Sequence, residues 1–539
     1  MAYTSFNFML FLILIVVIYY VCPKRMQWLV LLTASYFFYL SAGVAQILFI
    51  VPTTLITYGS ALWMQKIRDN YVAEIKAAGA DLDKEQKKER KKAAGAKIHK
   101  VQVLTVLLCL VVLAVVKYTN SLIGNVNILF GIFGYNQEIP FINIIVPLGI
   151  SFYTFQSMGY VIDIGRGKYE AERHLGRYAL FVSFFPTIVQ GPINRYDELG
   201  VQFSKAHKLE YNNIKFGIQL MLWGFFKKLV IADRAAPMVA EIFGTEYMNY
   251  SGIVFLFGMF VYAVQIYTDF SGGIDIARGA AQVLDIYLPQ NFERPYFSQS
   301  VAEYWRRWHI TLGAWMREYV FYPVMLSKFV TKVSKFFRQK GMKNAAKRTP
   351  SVITPFVVFF LIGIWHGASW QYIAFGLYNA TIVAGGVLLE PLFKKMVNMF
   401  RINTEVFSWK LFRIVRTFMV LGISKMLVCA PGLGAAVYMI KKIFTDLLSA
   451  SNLDFIFGLN NEIYRLGVNE KNVKALAFAT VVLLVVSILQ ECGIKMRETI
   501  AKQNLIFRWI LYLGILYVIL VFGIYGPGYD AAQFIYQEY

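Results

Sequence analysis

The chain has 539 residues, of which 57% are hydrophobic and only 16% charged, and its mean hydropathy is +0.50. A soluble protein carries about 25% charged residues to solvate its surface, so these figures exclude a soluble globular domain and point to an all-helical, polytopic membrane protein. The formal net charge of +22 would suggest nucleic acid in a soluble domain, but in a membrane chain basic residues collect in cytoplasmic loops and set orientation. The partner expected is therefore membrane lipid, with no nucleic acid.

A helix needs about 20 apolar residues to cross the hydrocarbon core. Runs of that kind lie near 6–21, 27–44, 46–64, 101–117, 143–163, 213–232, 253–270, 352–371, 372–390, 411–430, 474–491 and 506–525. Shorter runs near 121–134, 177–191 and 434–448 read as re-entrant or interfacial. The expectation is about 11 to 13 membrane helices in one polytopic domain covering residues 1–539. The first run, Phe6 to Val21, lacks a basic leader and a small-residue cleavage site, so it reads as a retained span.

Charge orients these spans. Lys24 and Arg25 separate the first two, which predicts a cytoplasmic loop and an outer N-terminus. Two spans later comes a charged insertion, 66–100, rich in Lys, Glu and Ala; it falls on the same side and suits a solvated helix or helical hairpin. Lys328 to Arg348 carries eight basic residues and no acid, which predicts a cytoplasmic segment near anionic headgroups. Lys502 and Arg508 precede the last span, so residues 527–539 form an extracytoplasmic tail. Lys227 and Lys228, at the end of 213–232, read as snorkelling side chains. Asp269 reads as a buried polar partner or a helix-terminus residue.

Few residues suit chemistry. Cys22, Cys109, Cys429 and Cys492 are scattered, with no paired spacing for a disulfide framework or zinc site. Of the five histidines, His99, His174 and His207 lie in polar segments and read as solvated. His309 follows Glu303-Tyr304-Trp305-Arg306-Arg307-Trp308. Read as one helix, this stretch aligns Trp305, Trp308, Leu312 and Trp315 in a stripe suited to the interface or a cavity wall, with Glu303 pairing Arg306 or Arg307. His366 sits in an otherwise uncharged span, where an ionisable side chain usually faces a cavity or the bundle interior, with Gly363 and Gly367 beside it. A buried imidazole stays neutral, the form a general base needs. Two histidines make a poor metal site, so no metal is expected.

The stretches PLGISFYTFQ (147–156), FFPTIVQGPINR (184–195), DFSGGIDIARG (269–279), RPYFSQSVAEYWRRWHITLGAWMREYVFYP (294–323) and IWHGASWQYIAFGLYNA (364–380) resemble the membrane-bound O-acyltransferase family. The likeness is to its bacterial branch, with the alginate O-acetyltransferase membrane subunit, its peptidoglycan counterpart and the teichoic acid D-alanyl transfer protein. The resemblance implies a helical bundle around a tunnel, a catalytic core at 145–390, and transfer of an acyl group, acetyl first, from a cytosolic thioester to an exported cell-surface polysaccharide. It implies His366 as general base with His309 as its partner, and Trp305, Trp365 and Asn379 shaping the tunnel. No tightly bound cofactor is implied; the donor is acetyl-CoA or an acyl-carrier-protein thioester. The implied partners are an extracytoplasmic SGNH-hydrolase-like acyltransferase, the polysaccharide acceptor and, for the second donor, a cytosolic acyl carrier protein. The ending FIYQEY (534–539) resembles the branch's aromatic C-terminus, though Gln537 and Tyr539 depart from its phenylalanines, and implies Tyr536 as an acyl relay; an interfacial anchor is the simpler role. Tyr322-Pro323-Val324-Met325 lacks the Gly-Gly-Asn-Arg of many alginate-type members, and Gly376-Leu377-Tyr378-Asn379 looks more like the D-alanyl branch. The rival readings are D-alanyl transfer to teichoic acid and, in another class, a non-catalytic glycan-export transporter or scaffold.

Overall fold

The computed structural model describes residues 1–78, 83–135, 137–446, 466–526 and 529. Among the described residues the regular elements are all helices, with one isolated backbone bridge, Phe292 to Trp308, and no strand. Seven of the described helices are long and apolar enough to cross a membrane. Other apolar runs fold into helices that miss those criteria for visible reasons. Phe6–Val21 has only 16 residues and Gln27–Leu40 only 14, while Phe407–Cys429 carries Lys410, Arg413, Arg416 and Lys425. The chain is thus an all-helical, multi-pass membrane protein.

Packing divides the chain into two compact units. The first comprises Met1–Ile218 with Ala277–Pro289. Its long helices Ile47–Ala77 and Lys84–Ile132 carry the charged stretches 66–77 and 84–100, and Asp83 with Gln86 forms a reciprocal N-terminal cap that starts the second. Against them lies Ile150–Arg166, almost wholly buried. Its entry requires Gly149: φ is +66°, and a Cβ there would lie 1.7 Å from the Ile188 carbonyl oxygen. Polar side chains close the unit: Arg68 Nη2 donates to the Ile164 carbonyl at 2.6 Å, and the Tyr178 hydroxyl donates to Thr57 at 2.7 Å.

This unit also corrects one histidine. His99 and His174 are exposed, but His207 is buried, with Nδ1 3.1 Å from Asp285 Oδ2 and Nε2 2.9 Å from the Gln202 carbonyl. The polar neighbours that made it look solvated are its hydrogen-bond partners, and the decisive one lies 78 positions away.

The second unit comprises Gln219–Ile276 with Gln290–Tyr539. It holds the hairpin of Lys343–His366 and Trp370–Met399, the helix Phe407–Cys429, and the short helices Val301–Arg307 and Ile310–Met316. The hairpin helices touch at glycines. A Cβ on Gly363 would lie 2.4 Å from the Tyr372 carbonyl oxygen, and one on Gly376 would lie 2.4 Å from that of Phe359. Only hydrogen at both positions permits this approach, the usual small-residue solution where apolar helices pack in lipid. Lys328–Gln339 is a separate basic helix that leaves Phe329 and Phe336 exposed.

Lys227 and Lys228 do not snorkel. Both are buried in a wide-turned segment, Phe226–Ala232. Lys227 Nζ meets Asp275 at 2.8 Å; Lys228 Nζ meets Asp269 at 2.6 Å and Asp233 at 2.7 Å. Asp269 is thus a buried partner in the interior of Gly252–Val283. Burying a charge is costly unless it is paired; Asp233 is supplied locally, while Asp269 and Asp275 lie 41 and 48 positions from the lysines they meet.

Candidate active site

The stretch around His309 is not one helix. Val301–Arg307 ends, Trp308 is extended, and His309 takes φ +46° and ψ +54° before Ile310–Met316 begins. A left-handed conformation is costly for a residue with a Cβ and persists only where surrounding structure imposes it. Here residues 290–293 impose it: the Glu293 N–H donates to the Arg307 carbonyl and the Ile310 N–H to the Asn291 carbonyl, each at 2.9 Å. The expected tryptophan stripe is broken by this turn, which swings the imidazole inward. Glu303 pairs with Arg307 at 2.7 Å, and Arg307 also meets Glu491 at 2.9 Å, so the short helix is tied at its polar face.

Asn291 then sets the state of His309. Its Oδ1 accepts from the Thr311 N–H at 2.9 Å and the Thr311 hydroxyl at 2.9 Å, and it lies 3.3 Å from His309 Nδ1. Because a backbone N–H can only donate, the atom facing it is the oxygen, and Nδ1 must carry the imidazole hydrogen. The lone pair of neutral His309 therefore resides on Nε2. Phe270 stacks edge-on against the ring, with centroids 4.8 Å apart. His309 is 3% exposed. Burial pushes its pKa below the ordinary imidazole value, and neighbouring His366 adds to the effect.

His366 closes the helix Lys343–His366 and is buried, 8% exposed. Trp365 packs against both histidines, with its ring centre 4.8 Å from His366 and 6.1 Å from His309. Phe375 meets His366 edge-on at 5.6 Å. A cavity of about 40 Å³, room for a few waters, is lined by His366, Trp305, Trp308, Tyr304, Phe375 and Lys425, among others.

The remaining sequence-selected residues fall into place around this centre. Trp305 lines the cavity and donates its indole N–H to Asn379 Oδ1 at 3.3 Å. Asn379, fully buried, does not line the cavity; its Nδ2 donates to Ser424 Oγ at 2.7 Å and to the Phe375 carbonyl at 2.8 Å, which holds Trp305 in place. Trp365 likewise sits between the histidines rather than on the cavity wall. Tyr536 lies outside the described residues. The chain leading toward it is anchored: the Ile524 N–H donates to the Leu229 carbonyl at 3.0 Å, and the Tyr529 hydroxyl donates to Asp233 at 2.8 Å. Among the described residues no cluster of three or more His, Cys, Asp or Glu side chains is arranged to hold a metal ion.

Two residues at the centre escaped the sequence reading. Asn291 lies in an irregular loop 18 positions before the histidine it orients, and no local pattern marks it. Lys425 could have been flagged as the one basic residue of the otherwise uncharged stretch 417–430.

The profile of the membrane-bound O-acyltransferase family matches residues 172–430, which enclose every residue of this centre. A probable alginate O-acetylase of Pseudomonas putida is 32% identical over 378 residues, covering 70% of this chain and 68% of that protein. The chain belongs to the membrane-bound O-acyltransferase family. The corresponding protein of Azotobacter vinelandii is 33% identical over 70% of this chain, which spans 66% of its length. The teichoic acid D-alanyltransferase of Bacillus subtilis is 34% identical over 47% of this chain and 62% of its own.

Proposed function

We propose that this family member transfers a short acyl group, acetyl first, from a cytosolic thioester to an exported cell-surface polysaccharide. The observation that carries the reading is the paired histidine centre: two buried imidazoles joined by Trp365, one with its tautomer fixed by Asn291, beside a small cavity. The names of the relatives, acetylation of alginate and D-alanylation of teichoic acid, support a polymer acceptor.

In the reaction the acceptor oxygen forms a bond to the thioester carbonyl carbon while its proton passes to an imidazole nitrogen. His366, on the cavity wall, takes that proton; His309, with its lone pair on Nε2, holds the second position and shares the role. Collapse breaks the carbon–sulfur bond, and the leaving thiolate receives the proton, giving an ester and a free thiol. The donor is acetyl-CoA or an acyl-carrier-protein thioester.

Basic segments at Lys24–Arg25, 66–100 and 328–348 are assigned to the cytoplasmic side, and both termini to the outer side. On that orientation Tyr536 carries the acyl group outward to an SGNH-hydrolase-like partner, which completes transfer. The anchoring of Tyr529 to Asp233 supports a tail held at one place. The test removes the chain from its host and measures ester-linked groups released from surface polymers by mild alkali. Loss of acetate supports the reading; loss of D-alanine transfers it to teichoic acid; no loss of either overturns it in favour of an export transporter or scaffold. Tyr536→Phe at wild-type ester content would remove the relay.

A further inference from the structure

Lys425 stands out because the cavity is otherwise walled by apolar and aromatic groups and His366. It projects from Phe407–Cys429 and is 7% exposed. Among the described residues no carboxylate lies within ion-pairing distance of it. Its surroundings are instead an aromatic cage: Nζ lies 4.0 Å from the Tyr296 ring centre, 5.3 Å from Trp308 and 5.7 Å from Tyr304, all within cation–π range. The Tyr296 hydroxyl donates to the Ala263 carbonyl at 2.6 Å, so its oxygen is left to accept from Lys425 Nζ. An ammonium has three N–H donors; Tyr296 takes one.

Two of the cage rings, Tyr304 and Trp308, belong to the segment that turns His309 inward, and they stack with centroids 5.5 Å apart. Lys425 and His309 are thus positioned by one piece of structure. A buried lysine with aromatic rather than anionic partners, on the wall of a reaction cavity, suits a site where negative charge appears only transiently. The rings take no more than one of its hydrogens, through the Tyr296 hydroxyl, so Nζ can donate to a group in the cavity.

Resting on the acyl-transfer reading, we propose that Lys425 stabilises the oxyanion that forms on the thioester carbonyl when the acceptor hydroxyl attacks. As the new carbon–oxygen bond forms, the carbonyl π electrons move to its oxygen, which accepts a hydrogen bond from Lys425 Nζ. The electrons return as the carbon–sulfur bond breaks, and the proton taken by the imidazole passes to the sulfur. Lys425 itself neither gains nor loses a proton. Donors set at a developing oxyanion typically contribute about 10²- to 10³-fold in rate.

The test compares Lys425→Met, Lys425→Arg and His366→Ala, each as the only copy in cells. The readouts are the initial rate of ester appearance on surface polymers, membrane content by immunoblot, and thermal stability of the detergent-solubilised protein. The expected result is a loss of about 10²- to 10³-fold in Lys425→Met at wild-type stability, recovery in Lys425→Arg to within about tenfold of wild type, and no acylation in His366→Ala. Wild-type rates in Lys425→Met, or equal loss in the Arg and Met variants at full stability, would overturn the role of Lys425 alone. Retained acylation in His366→Ala would instead overturn the acyl-transfer chemistry itself. If Lys425→Met does not accumulate, Tyr296→Phe decides: it keeps the ring and removes the hydroxyl that accepts from Nζ, so a loss of about tenfold or more supports the proposal and an unchanged rate ends it.

Discussion

Replacing Asn291 by Ala would test how His309 is held. Asn291 is fully buried, and its Oδ1 serves the Thr311 N–H, the Thr311 hydroxyl and His309 Nδ1 together. Truncation removes all three contacts. The hydroxyl can turn elsewhere, but the Thr311 N–H and the imidazole N–H lose their acceptor, at about 1–3 kcal/mol for each buried donor left unmade. The expected stability loss is therefore about 2–6 kcal/mol if nothing rearranges. The catalytic effect is separate: with Nδ1 released, both tautomers and other ring orientations become accessible. Misplacing a reacting group by about 1 Å can cost about 100-fold, so activity is expected to fall about 10- to 100-fold. Thr311→Val is the control, since it removes only the hydroxyl contact and should stay within about threefold of wild type. The assay is the initial rate of alkali-labile ester formation, normalised to folded protein in the membrane. An Asn291→Ala protein that folds and acylates at the wild-type rate would refute the fixed-tautomer argument.

Other expectations follow from the same geometry. Gly363→Ala or Gly376→Ala places a methyl 2.4 Å from a backbone carbonyl oxygen, about 1 Å inside ordinary contact, so the hairpin must open beside His366. Ester formation should fall at least tenfold, because displacements of about 1 Å at a reacting centre can cost about 100-fold, while Gly385→Ala, with open space around it, should be silent. Trp305→Phe keeps an aromatic ring, though a smaller one, and loses the N–H to Asn379; a several-fold loss of rate is expected, mirrored by Asn379→Ala. For pH, the folded protein holds His309 neutral below the range where the unfolded chain, near pKa 6.5, takes up a proton. The unfolded state then binds more protons, so stability falls as pH drops below about 6.5; His309→Asn should flatten that part of a thermal-stability profile.

Much of this centre was legible from the sequence, and the misses share a cause. His366 was visible because an ionisable residue in an apolar span is conspicuous whatever its partners. The helical reading of Tyr304 to Trp315 failed because periodicity cannot show that residues 290–293 hydrogen-bond across the segment and force His309 into a left-handed turn. Lys227 and Lys228 were read as snorkelling because a helix end is the usual refuge for a lysine; their carboxylates lie in another helix. His207 was misread the same way, through its distance from Asp285. The 411–430 run does form a helix, Phe407–Cys429, but its charged residues set it apart from the uniformly apolar spans. In each case local pattern identified the residue type, and a tertiary partner decided what it does.

The central claim is that the paired histidines carry acyl transfer, and His366→Ala tests it most directly. Cells holding this variant as their only copy would be supplied with labelled acetate, and label recovered by mild alkali from the surface polymers would be measured against membrane levels of the protein. The account predicts that label falls to the level of cells lacking the chain while the protein remains folded in the membrane. Wild-type labelling in the variant would contradict it.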